Sequence, residues 1–126
     1  MSNYYPTESD SGVSNLARLQ IELNNKLYYE SSVYEMYLRE NGLEPNATYN
    51  KNTDYKKLLQ TVRDILESLT NDIDLFRTVE TEFATTSQAY QYLERRLNNL
   101  DKKILALSDS VEEDLNKSMI TFLFKG

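Results

Sequence analysis

Residues 55–69 read YKKLLQTVRDILESL, and this stretch decides the fold. Tyr55, Leu58, Leu59, Val62, Ile65, Leu66 and Leu69 recur at i, i+3, i+4 and i+7, which is one apolar stripe on an α-helix. Lys56, Lys57, Gln60, Arg63, Asp64 and Glu67 cover the opposite face. Thr53 or Asp54 is the expected cap, since a short polar side chain satisfies the free amides of a first turn. A helix with one apolar face has to bury it against other elements.

A second stripe lies downstream. Thr86, Tyr90, Leu93, Leu97, Leu100, Ile104, Leu107 and Val111 step alternately by four and three residues, the spacing of a heptad seam. Thr85-Thr86-Ser87 supplies its cap, and a helix over 87–107 spans about 32 Å. Such a seam buries within one bundle or pairs between subunits. Ser110-Val111-Glu112-Glu113 has capping-box spacing, so Ser108-Asp109-Ser110 is an expected break before a final short helix.

The flanking segments complete a bundle. A first helix starts at Ser14 or Asn15 and carries Leu16, Leu19, Leu23 and Leu27. Ser32 and Glu35 have capping-box spacing and open a second helix, Val33 to Glu40, with Val33, Met36 and Tyr37 inward. One unbroken helix from Asn15 to Glu40 is the alternative. Asn41-Gly42 stops either, because glycine accepts the left-handed conformation of a helix end. Leu43 to Thr53 is a loop with Tyr49 as its inward anchor. Thr70-Asn71-Asp72 ends the third helix and caps a short fourth one, along which lie Ile73, Phe76 and Val79 or Glu80, with Phe83 beyond it. The expected fold is all-α, a small helical bundle of four to five helices over 14–117, with a flexible N-terminal arm at 1–13 and an apolar C-terminal tail at 118–126.

Composition narrows the function. The 126 residues contain no His and no Cys. That removes the commonest general base, the thiolate nucleophile and the usual transition-metal ligands. The three Gly are isolated at 12, 42 and 126, so no phosphate-binding loop exists. Asp72-Ile73-Asp74 is the nearest thing to a metal motif, but acids at a helix start are expected as caps and dipole partners. Neither catalytic residues nor a cofactor or metal are expected, and the chain reads as no enzyme. Net charge of −6 argues against nucleic-acid binding. No run of 18 apolar residues suggests a membrane span, and no signal peptide is visible, so the cytoplasm, or a particle assembled there, is the expected location.

What remains are surfaces that want a partner. The chain has ten Tyr and no Trp. Tyr4, Tyr5, Tyr28 and Tyr29 are candidates for partner binding, since tyrosine buries a ring while keeping a wet hydroxyl. On a helix Tyr28 and Tyr29 point two ways, so one of them is expected outward. Met119, Ile120, Phe122, Leu123 and Phe124 form the second candidate. Burying these five yields about 8–15 kcal/mol, and ordering about nine residues costs about 13 kcal/mol. The near-cancellation means that the tail orders only on a good surface, its own bundle or a neighbour, as a strand or an apolar plug. Arg95-Arg96 and Lys102-Lys103 make a basic strip, either a solvated flank or a face for an acidic partner such as another copy.

Three stretches resemble the small head–tail connector proteins of tailed bacteriophages, the neck adaptors or head-completion proteins. They are YKKLLQTVRDILESL at 55–69, NDIDLF at 71–76 and EFATTSQAYQYLERRL at 82–97. The resemblance covers residues 15 to 107 and rests on size, helical layout and tails. It implies a helical bundle that sits as a homo-oligomeric ring beneath the portal in the virion neck. Its ends would contact adjacent subunits, portal and tail proteins. It implies no chemistry, and no family residue carries over to a numbered position here. The alternative from charge alone is a small acidic regulator or inhibitor, immunity- or antitoxin-like, that blocks a basic protein partner.

Overall fold

The computed structural model describes residues 12–124, with side chains over 12–107. Five helices form among the described residues: α1 (Asn15–Glu22), α2 (Ser31–Glu40), α3 (Lys51–Asn71), α4 (Ile73–Glu80) and α5 (Thr86–Phe124). No strand forms there; one isolated antiparallel bridge joins Ser14 to Thr48. The all-α bundle expected from the two stripes is what the chain adopts.

The stripe at 55–69 is the spine. Leu58, Leu59, Val62, Ile65, Leu66 and Leu69 are all buried, and α3 touches each of the other four helices. Thr61 is buried with them, and its hydroxyl is satisfied by donating to the Lys57 carbonyl at 2.8 Å. The helix starts earlier than expected. Asn50 is the cap, its Oδ1 accepting from the Asn52 amide at 2.9 Å, and Asp54 accepts the Asn50 amide at 3.1 Å.

The heptad seam lies against this spine. Ala89, Leu93 and Leu100 are buried, and Leu97, Ile104 and Leu107 pack at the margin of the core. Over 93–107 the seam is therefore intramolecular. Arg63 clamps the pair from outside, its Nε donating to Asp101 at 2.7 Å and its Nη1 to Glu67 at 3.0 Å.

The first third departs from expectation. Ser14 caps α1 by accepting the Ala17 amide, but the helix stops at Glu22, short of Leu27. Asn24 and Asn25 both take φ 58°, a left-handed turn that asparagine tolerates better than other side chains. Neither a helix reaching Leu27 nor one running from Asn15 to Glu40 can pass through it. Leu27 is not on a buried stripe; it is 79% exposed. α2 begins at Ser31 behind Glu30, without a side-chain cap, so Ser32 already lies inside the helix and the expected capping box does not form. Its buried residues are Tyr34 and Leu38, and Met36 faces outward. The Tyr34 hydroxyl sets that register by binding backbone of the preceding crossover. Gly42 ends the unit at φ 81°, as its sequence position predicts.

The C-terminal half of α5 also differs. The helix runs through Ser108-Asp109-Ser110 to Phe124 without a break. Ser and Asp cost at most about 0.7 kcal/mol each inside a helix, too little to interrupt a long one. The backbone of 119–124 is thus helical, which displaces the strand alternative for the tail. The side chains of 108–126 and all of residues 1–11 lie outside the described set, so Tyr4, Tyr5, Met119, Ile120, Phe122, Leu123 and Phe124 lie outside it too.

Candidate interaction surfaces

The carboxylates that invited a metal reading are structural. Asp72 Oδ1 accepts the amides of Asp74 at 2.9 Å and Leu75 at 3.1 Å, capping α4. Among the described residues no cluster of three or more His, Cys, Asp or Glu could hold a metal ion. No helix there is long and apolar enough to cross a membrane.

Tyr28 and Tyr29 lie in the crossover between α1 and α2, not on a helix, so the two-sided geometry expected of them does not arise. Both are half-buried against the core. Tyr29 shares a 2.6 Å hydrogen bond with Ser68 of α3, and its ring meets Tyr34 edge-on at 6.1 Å. Burial pushes the Tyr28 phenol up to about 12, with the nearby Glu82 carboxylate adding to the shift. Burial also raises Tyr29, Tyr34 and Tyr49 above the ordinary phenol range. These groups keep their protons in the folded chain at a pH where the unfolded chain has released them. Stability from this source is therefore complete below pH about 10 and is lost as pH rises through about 12. Tyrosinate absorbance during alkaline titration should show a late fraction that appears together with loss of helical circular dichroism. Ionisation of all ten phenols near pH 10 in a chain that stays folded would contradict this burial.

The exposed member of the crossover is Leu27. It borders a surface depression of about 470 Å³ that also involves Tyr28, Tyr29, Glu30 and Ser31. Lys26 pairs with Glu82 at 2.5 Å and ties the crossover to the end of α4. Sequence reasoning placed Leu27 inward because its spacing fits a helix. The signal against that was Asn24-Asn25, a pair able to turn the chain left-handed.

The basic strip divides in two. Arg96 is not a solvated flank: its Nη2 donates to the Glu22 carbonyl at 2.6 Å and its Nη1 to the Tyr92 hydroxyl at 3.2 Å. A cation there satisfies an orphan carbonyl and faces the negative end of the α1 dipole. Arg95, Lys102 and Lys103 remain exposed. Between the end of α1 and this part of α5 lies an open groove of about 440 Å³, with Arg95, Arg96 and Lys103 along one wall and Ile21 on the other.

No protein-family model, curated protein or solved structure matches the chain.

Proposed function

We propose that the chain is a non-enzymatic assembly protein, a connector-type subunit that forms a ring on a portal-type complex through its termini. One observation carries this reading. α5 has 39 residues, about 58 Å of helix, against 21 residues for α3. Its backbone runs on for 17 residues beyond Leu107, which packs against the core, so α5 is about 27 Å longer than α3. The most apolar run of the chain, Met119 to Phe124, ends that extension.

A helix presented in this way is ordered before it meets a partner, which lowers the entropy cost of docking. Its apolar end suits a groove on a neighbouring copy or on a portal or tail protein, the helix-in-groove mode. The bundle then acts as a rigid spacer, and Tyr4 and Tyr5 supply a second contact. The location that follows is the virion neck.

The test is recovery of partners from the native source with full-length protein and with a chain ending at Lys117. Portal or tail proteins recovered only with the full-length chain support the proposal. Equal recovery by both chains overturns the role of the tail. A single basic partner bound by both, released steeply by salt, replaces the connector with the inhibitor reading.

A further inference from the structure

We infer that the groove between the end of α1 and the middle of α5 is a seat for an acidic, tyrosine-bearing peptide, and that residues 4–10 of this same chain occupy it. The inference does not depend on the connector reading of the C-terminal tail, and where it holds Tyr4 and Tyr5 are committed to this chain's own groove rather than to a partner.

The groove is cationic in an acidic protein. The chain carries 20 acidic and 14 basic residues, yet Arg95, Arg96 and Lys103 converge on one wall. None of the three forms an ion pair among the described residues, whereas Arg18, Lys26, Arg39 and Arg63 all do. Glu22 is the single acid bordering the groove, and Arg18 already holds it at 2.8 Å. The cationic wall is therefore left to a ligand that brings its own negative charge. Apolar surface lies beside it: Ile21 is 51% exposed, and Tyr92 also borders the groove. An acidic segment that also carries aromatic rings fits both features. The rings lie on Ile21 and Tyr92, and the guanidinium of Arg95 offers a cation to a ring face.

Residues 4–10 read YYPTESD, two adjacent tyrosines followed by Glu8 and Asp10. Their position in the chain suits the reach. α1 is eight residues, about 12 Å, and the groove lies at its far end. An extended chain covers about 3.3–3.6 Å per residue, so the four residues from Gly12 back to Glu8 span about 13–14 Å, comparable to the length of α1, and carry Glu8 toward the cationic wall. Tyr4 and Tyr5 then lie beyond it, over the apolar surface. Tethering so close to the site supplies an effective concentration of about millimolar, enough to populate a contact of modest intrinsic strength.

The experiment compares backbone amide shifts of the full-length chain with those of a chain lacking residues 1–11. Docking predicts shifts at Ile21–Asn24 and Tyr92–Lys103, beyond those at residues 12–20 that the new chain end and the path along α1 produce. They should vanish at about 1 M salt, where the screening length falls to about 3 Å. The full-length double variant Arg95→Glu, Lys103→Glu should resemble the deletion. Both side chains are exposed, so the fold should persist, and circular dichroism checks that it does. Adding Glu8→Lys and Asp10→Lys to that variant should restore the shifts. Absence of shifts on deletion, shifts elsewhere, or failure of the swap overturns the inference. Shifts that grow with protein concentration, with a dimer mass by light scattering, transfer the segment to a second copy and overturn docking within one chain.

Discussion

Replacing Tyr34 by Ala should lower the unfolding free energy by about 3–5 kcal/mol, and replacing it by Phe by about 1–3 kcal/mol. Tyr34 is the largest fully buried side chain among the described residues. Its hydroxyl donates to the Lys26 carbonyl at 2.9 Å and accepts the Tyr28 amide at 3.0 Å. Alanine removes the ring and leaves a cavity next to Tyr29. Phenylalanine keeps the ring but strands one backbone donor and one backbone acceptor, and an unpaired buried group costs more than an average hydrogen bond yields. Against a typical total of about 5–15 kcal/mol, the alanine loss is a large share of the fold.

The two variants also differ in where they act. Urea titration reads the global loss. Hydrogen exchange at the Tyr28 amide reads the crossover alone. In Tyr34→Phe that amide should exchange faster while amides of α3 change only in step with global stability. An unchanged Tyr28 amide, with a global loss under about 0.5 kcal/mol, would contradict this account. The crossover is held at three further points, by Arg96 on the Glu22 carbonyl, by Tyr29 on Ser68 and by Lys26 on Glu82. Loosening it should therefore disturb both the exposed Leu27 and the groove beside α1.

The sequence makes the spine legible for a simple reason. In α3 and α5 the apolar positions repeat over several turns, so one misplaced residue does not change the inferred face. α1 and α2 are only eight and ten residues long. In such short elements a single extra apolar residue, Leu27, is enough to extend a stripe on paper past the turn that ends it. Tyr34 was hidden for a related reason: its inward direction is fixed by backbone partners eight and six residues earlier, not by periodicity. The same holds for Arg96. Its role as a tie depends on a carbonyl 74 positions away, and no local pattern reveals that contact. The uninterrupted α5 shows the converse, since capping-box spacing marks a place where a helix can start, not one where a running helix must stop.

On α4, Phe76→Ala should cost about 3–5 kcal/mol, while Ile73→Ala should stay within about 0.5 kcal/mol. Spacing alone ranks them together, because 73, 76 and 79 are three residues apart. Each three-residue step falls about 60° short of a full turn, so a stripe built only of such steps winds around the helix. Phe76 and Val79 face the core, and Ile73 has rotated off it, 67% exposed. Phe76 is 3% exposed and stacks on Tyr90 with ring centroids 4.1 Å apart. That stack is where α4 meets the start of α5, so the seam residue Tyr90 covers Phe76 without itself being buried. A double-mutant cycle on Phe76 and Tyr90 should give a coupling of about 0.5–1.5 kcal/mol. Additive losses would mean that the two rings contribute independently. Equal losses at Ile73 and Phe76 would mean that α4 turns its other face to the bundle. In that case Asp72 could not cap it as found, because the cap fixes the first turn and with it the direction of every later side chain.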